Sequence, residues 1–175
     1  MVIWFAGLSG AGKSTVTQLL YERLKPSIPQ LVLLDGDAVR EAFGNDLGYS
    51  EAERRKQVSR VQRLARLLSS QGLVVIVALV YSHPELMEWN RANIPEYFEV
   101  LVDAPVDFVT ERDSKGLYSR AKRGETRDVV GVDIHWHRPS KSDLVIDATQ
   151  KTAPAELAET VAAAIPALRQ HWRQA

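Results

Sequence analysis

The octapeptide Gly7-Leu8-Ser9-Gly10-Ala11-Gly12-Lys13-Ser14 constrains this chain more than any other stretch. It fits G-x-x-x-x-G-K-[ST], a loop whose glycines let successive N–H groups curl toward one anion. Lys13 adds a full positive charge, Ser14 a hydroxyl for Mg²⁺, and Thr15 a donor for phosphate. Such a loop needs a buried strand before it and a helix after it, whose N-terminal partial charge points at the same anion. Both are present. Residues 2–6 form an apolar run suited to a strand buried on both faces. Residues 13–25 carry Val16, Leu19, Leu20 and Leu24 at helical spacing, and Pro26 ends the run. The expected ATP contacts are Gly7, Ser9, Gly10, Ala11, Gly12, Lys13, Ser14 and Thr15.

The rest of the chain alternates in the same manner. Strands are expected at 31–34, 73–80, 98–102 and 144–146. Helices are expected at 37–43, 84–94 and 106–112, and from Pro154 onward with a kink or break at Pro166. Ser50 and Glu53 form a capping box that opens a long helix to about Gln71, closed by Gly72. This alternation predicts an α/β domain with a parallel sheet and right-handed crossovers. Ligands in such sheets bind at the carboxyl ends of the strands, marked here by Gly7, Asp35, Tyr81, Asp103 and Asp147.

At one of those ends, Asp35-Gly36-Asp37 is followed a helical turn later by Arg40. Two carboxylates one residue apart can divide labour. Asp35 is favoured as the carboxylate beside Mg²⁺ and Asp37 as the group that orients or deprotonates an attacking hydroxyl, although spacing alone does not fix that order. Arg40 suits an anionic substrate. With Lys13, these carboxylates are the expected catalytic groups. Lys115, Arg120, Lys122, Arg123 and Arg127 then crowd a glycine-containing stretch, the expectation for a lid, roughly 113–140, that closes over a triphosphate and excludes water.

Composition excludes other classes. The 175 residues carry 22 basic and 22 acidic side chains, which favours neither nucleic acid nor a membrane surface as partner. There is no cysteine, hence no thiol nucleophile and no disulfide, which suits the cytoplasm. No apolar run suggests a signal peptide or spanning helix, and the chain reads as one domain over 1–175. His135 and His137 flank Trp136 but lack a third metal ligand, so a structural role is favoured. Trp4, Trp89 and Trp172 are expected in the core or its rim.

Four further runs carry a family resemblance. They are Leu34-Asp35-Gly36-Asp37-Ala38-Val39-Arg40, Asp46-Leu47-Gly48-Tyr49-Ser50, Arg112-Asp113-Ser114-Lys115-Gly116-Leu117-Tyr118 and Gly131-Val132-Asp133. Together with the phosphate loop they resemble adenylylsulfate (APS) kinase along nearly the whole chain. The resemblance implies a three-layer P-loop NTPase fold, with a five-stranded parallel sheet, helices on both faces and a basic lid. It implies transfer of the ATP γ-phosphoryl group to the 3′-hydroxyl of APS with Mg²⁺, for sulfate assimilation, often in a homodimer.

Carried over by position, Asp37, Arg40, Tyr49, Arg54, Gln57, Val80, Tyr81, Lys115 and Val129 would meet the acceptor. Arg112, Lys115 and Arg120 would meet ATP, and Ser14 and Asp35 the metal. The chain departs from the family pattern at Ala38 and Gln57, where asparagines are usual. It departs at Tyr81, which displaces a serine, and at Val129, which stands where a second stacking phenylalanine is usual. These departures keep a relative acting on another small alcohol or nucleotide, such as cytidine diphosphoramidate, in play; a nucleotide-binding module without a small-molecule acceptor is a third reading, against which the Asp-Gly-Asp pair and the basic lid argue.

Overall fold

The computed structural model describes residues 1–113 and 115–172. Five strands, β1 (Val2–Ala6), β2 (Leu31–Asp35), β3 (Val74–Leu79), β4 (Tyr97–Asp103) and β5 (Leu144–Asp147), form one sheet in the order β2-β3-β1-β4-β5. Every pairing is parallel. β1 lies in the middle, with Ile3 opposite Ile76 on one side and Phe98 on the other. All five of its residues are buried, the reason its sequence is continuously apolar rather than alternating. Full burial of a Val, Leu, Ile or Phe side chain contributes about 1.5–3 kcal/mol, so this strand is a main anchor of the fold.

Helices α1 (Lys13–Leu24) and α3 (Glu51–Ser70) both pack on β1 and β3 and have no extensive contact with each other, so they cover opposite faces. α7 (Pro154–Ala164) and α8 (Pro166–Trp172) join α1, and α4 (Pro84–Asn93) joins α3. This gives the expected three layers. Pro166 does separate two helices. Trp4 and Trp172 are buried, with the Arg23 guanidinium 4.0 Å over the Trp172 ring, and Trp89 is partly buried at the rim. Among the described residues no helix is long and apolar enough to cross a membrane.

The predicted capping box forms. Ser50 Oγ accepts from the Glu53 N–H at 3.4 Å, and Glu53 Oε2 accepts from the Ser50 N–H at 3.2 Å. Such a cap stabilises a helix by about 1 kcal/mol, and here it fixes where α3 begins. Short helices α2 (Gly36–Ala42) and α5 (Val106–Arg112) follow β2 and β4. The basic segment carries regular structure that no sequence periodicity marked. It contains a further helix, α6 (Leu117–Lys122), and buries Tyr118, Val129, Val130 and Ile134. Six residues are too few to reveal a helical period, and α6 starts from a left-handed Gly116 with no capping side chain of its own.

Candidate active site

Because the strands are parallel, their carboxyl ends share one edge of the sheet, and a cleft of about 530 Å³ opens there. The phosphate loop is its first wall. Gly7 presses against the neighbouring strand: a Cβ at this position would lie 2.5 Å from the Val102 carbonyl oxygen, which is backbone and cannot yield. Gly10 (φ 80°) and Gly12 (φ 99°) take left-handed conformations that let the loop curl into α1. Ser9, Gly10, Gly12, Lys13, Ser14 and Thr15 line the cleft, whereas Gly7 and Ala11 are buried behind it and shape the loop from the rear.

Lys13 is buried, and its Nζ donates to the carbonyls of Gly7 and Leu8, both at 2.8 Å. Burial foremost, then the nearby Lys115 charge, lowers its pKa to about 8, against the opposing pull of Asp35 and Asp37. A lysine so shifted loses its charge as pH rises through that value. Phosphate at the loop favours the charged form and pushes the titration upward. The expected result is that kcat/KM for ATP, which reports the free enzyme, falls above about pH 8. At saturating ATP, kcat should hold to higher pH. A rate–pH series at low and saturating ATP checks both limbs.

The acidic pair sits beside the loop. Asp35 caps α2, its Oδ1 accepting from the Asp37 N–H at 2.9 Å, and its Oδ2 accepts from Ser14 Oγ at 3.1 Å. Asp37 projects into the cleft, with the Lys115 Nζ 3.7 Å from its Oδ2. The two carboxylates thus have different surroundings. One is engaged with the loop's serine; the other is exposed, with Lys115 as its ion-pair partner and the Lys13 charge nearby.

The far wall carries the residues expected at an acceptor. Arg40 is buried and donates from Nη1 to the carbonyls of Leu47 and Gly48, both at 2.9 Å, while its guanidinium lies 4.6 Å from the centre of the Tyr49 ring. Arg54 donates to the Tyr49 carbonyl at 2.9 Å and the Asp128 carbonyl at 2.7 Å. Both arginines therefore hold the Tyr49 loop in place as well as lending charge, and the Tyr49 ring stays half exposed. Gln57 is buried and lines the same cleft, its Nε2 donating to the Gly36 carbonyl at 3.5 Å. Val80, Tyr81 and Val129 complete this wall. The Tyr81 hydroxyl donates to Glu51 Oε1 at 2.6 Å, and burial together with that carboxylate pushes its pKa up to about 12. Arg112, Lys115 and Arg120 line the lid side.

Some participants were not visible in the sequence. Thr126 and Asp128 reach the cleft, as does Arg127 from the basic run. Asp113 anchors α6 by accepting from the N–H groups of Tyr118 at 3.0 Å and Ser119 at 2.9 Å. His83 joins His135 and His137, with ring centres 4.6 Å apart along the series. No group among the described residues could nonetheless hold a metal through three His, Cys, Asp or Glu side chains. The histidines instead back the cleft wall, where Ser82 Oγ donates to the His137 carbonyl at 2.8 Å.

Comparisons with known proteins agree with this geometry. A family model described as adenylylsulphate kinase matches residues 1–147. An adenylyl-sulfate kinase of Deinococcus deserti is 46% identical over 143 residues, covering 82% of this chain and 79% of the relative. One from Vibrio cholerae is 40% identical over 164 residues, covering 93% and 76%. The structure of a Mycobacterium tuberculosis APS kinase with AMPPNP and APS superposes with a TM-score of 0.82 at 35% identity, covering 91% of this chain and 94% of that one. A loop built for phosphates, a carboxylate pair beside it and relatives of this closeness lead to one assignment: the chain belongs to the adenylylsulphate kinase family.

Proposed function

We propose that this chain transfers the γ-phosphoryl group of ATP to the 3′-hydroxyl of adenylylsulfate, yielding 3′-phosphoadenylylsulfate and ADP. The observation that carries this reading is the continuity of the cleft. One opening holds the phosphate loop, the carboxylates after β2, and the Arg40–Tyr49–Arg54 wall. ATP phosphates and an anionic nucleotide fit at opposite ends, with Asp37 between them.

In this reading Asp37 accepts the acceptor's hydroxyl proton as the new O–P bond forms and the β–γ bridge breaks toward ADP. Lys13, Lys115, Arg112 and Arg120 balance the charge that spreads over the transferring group. Tyr49 offers its open face to the adenine, and Arg40 and Arg54 attract the phosphosulfate. Ser14 and Asp35 present adjacent oxygen donors beside the cradle, which suits Mg²⁺, an ion that fills its other positions with water and phosphate oxygens. When bound, the ion supplies charge neutralisation at the phosphates.

The test is incubation with Mg-ATP and a panel of adenylylsulfate, cytidine diphosphate derivatives and simple alcohols, following the phosphorylated product. Rapid 3′-phosphorylation of adenylylsulfate is expected. An inert adenylylsulfate beside a reactive pyrimidine compound would overturn the acceptor assignment, and acceptor-independent ATP turnover would overturn transfer altogether.

Val129 has its own expected effect. It is buried in the acceptor wall and offers no π-face. One base–aromatic stack is worth about 1–3 kcal/mol. Val129→Phe should therefore lower the KM for adenylylsulfate about tenfold while leaving that for ATP unchanged, as initial rates over both concentrations will show.

A further inference from the structure

We infer that Tyr118 is a positioning residue for the phosphate loop: its hydroxyl fixes the Ser9–Gly10 peptide so that the Gly10 N–H faces the ATP phosphates. The inference rests on the nucleotide half of the reading above and is independent of the acceptor.

Tyr118 lies on α6, in the basic segment, 109 residues from the loop it touches. It is almost fully buried, and its hydroxyl donates to the Ser9 carbonyl at 3.0 Å. No peptide in the described chain is cis. In a trans peptide the C=O and the following N–H point in opposite directions. A Ser9 carbonyl held against Tyr118 therefore turns the Gly10 N–H the other way. Gly10 lines the cleft, and its N–H donates to no protein acceptor among the described residues.

The peptide needs such a hold. Gly10 sits at φ 80°, and a glycine crosses between positive and negative φ at little steric cost. Left alone, the Ser9–Gly10 unit could rotate and aim a carbonyl oxygen at the phosphates, replacing attraction by repulsion. Tyr118 opposes that rotation because turning the Ser9 carbonyl away would leave a buried hydroxyl without its partner.

Tyr118 is itself held from behind. The Asp113 carboxylate accepts from the backbone N–H groups of Tyr118 and Ser119, fixing the first turn of α6. The hydrogen bonds of Asp113 keep its carboxyl below the usual range although burial opposes them. Asp113, α6, Tyr118 and Ser9 thus form one physical chain from the base of the lid to the cradle. The helix that carries Arg120 to the cleft also sets the orientation of a cradle N–H.

Tyr118→Phe keeps the ring and removes the tether. Its affinity for AMPPNP, measured by calorimetry, should fall about tenfold. In steady state the KM for ATP should rise, while the acceptor KM at saturating ATP stays at the parent value. A merely structural role would instead reduce the active fraction and melting temperature with both KM values unchanged. Asp113→Asn, which loosens α6 from the other side, should weaken AMPPNP binding in the same direction. Thr160→Ala removes a local bond to the Glu156 carbonyl on α7, away from the cleft, and should leave it unchanged. AMPPNP affinity within twofold of the parent chain in both Tyr118→Phe and Asp113→Asn would overturn the inference, as would an equal loss in Thr160→Ala. Because AMPPNP binding needs no acceptor, this result stands apart from the acceptor panel.

Discussion

Lys13→Ala is expected to lower kcat about a thousandfold, the scale seen when a pre-organised electrostatic partner of the transition state is removed. The reason lies in its surroundings as much as in its charge. The ammonium is withdrawn from water among loop carbonyls, in a setting where a charge acts strongly and needs little reorganisation. Burial has a converse effect on stability. Between about pH 8 and 10.5 the unfolded chain holds more protons on this group than the folded one, so on its account stability rises with pH through that window. At neutral pH the folded protein carries a desolvated charge, and its removal should leave the melting temperature nearly unchanged. Single-turnover transfer of labelled γ-phosphate and a thermal melt on the same sample test the two statements together. Transfer within tenfold of the parent rate would sink the assigned role.

Asp37→Asn should lower kcat by about a hundredfold or more, the contribution typical of a positioned general base, while AMPPNP affinity stays within about twofold. The amide keeps the shape and loses the proton acceptor. Asp37 is exposed to the cleft and its carboxylate makes one ion pair among the described residues, with Lys115, so the change disturbs little packing. Asp35→Asn offers the contrast. Asp35 touches Ser14 and caps α2, so its loss should weaken Mg-ATP binding as well as turnover. If Asp37→Asn reduces nucleotide affinity and rate in equal measure, the two carboxylates exchange roles.

The sheet was legible because each strand is a short, mainly apolar run bounded by a polar end or a glycine; the inner strands β1 and β3 are buried nearly throughout, while the edge strands β2 and β5 are only partly so. The phosphate loop was legible because its chemistry is local: eight consecutive residues supply the curl, the charge and the hydroxyl. The capping box of α3 was legible for the same reason. Non-local features were not. Tyr118 meets Ser9 across 109 positions, and Arg54 meets Asp128 across 74. No periodicity records either contact. Arg40 and Arg54 showed as cations, but not that both hold the Tyr49 loop by its carbonyls. α6 was missed because its first turn is closed by Asp113, outside the helix, and because six residues leave no pattern. The histidine pair was set aside for want of a third member; His83, which no spacing links to it, arrives from another element with its ring centre 4.6 Å from that of His137.

The basic segment that lines the cleft is held at its far end as well as its base. Beyond the basic stretch, Ser82 holds the His137 carbonyl, and the next residue, Arg138, makes a forked pair with Asp103 at the end of β4, at 2.7–3.2 Å. A segment tethered at both ends has already surrendered most of its conformational freedom when the chain folds. If the segment closes on nucleotide as proposed, few backbone torsions are left to freeze. Limited proteolysis should accordingly spare both stitched ends and cut, if anywhere, near the exposed crest at 123–125. In the proposed reaction, attraction between phosphates and cations would then remain available to favour the transition state over the ground state, since little of it is consumed in ordering this segment.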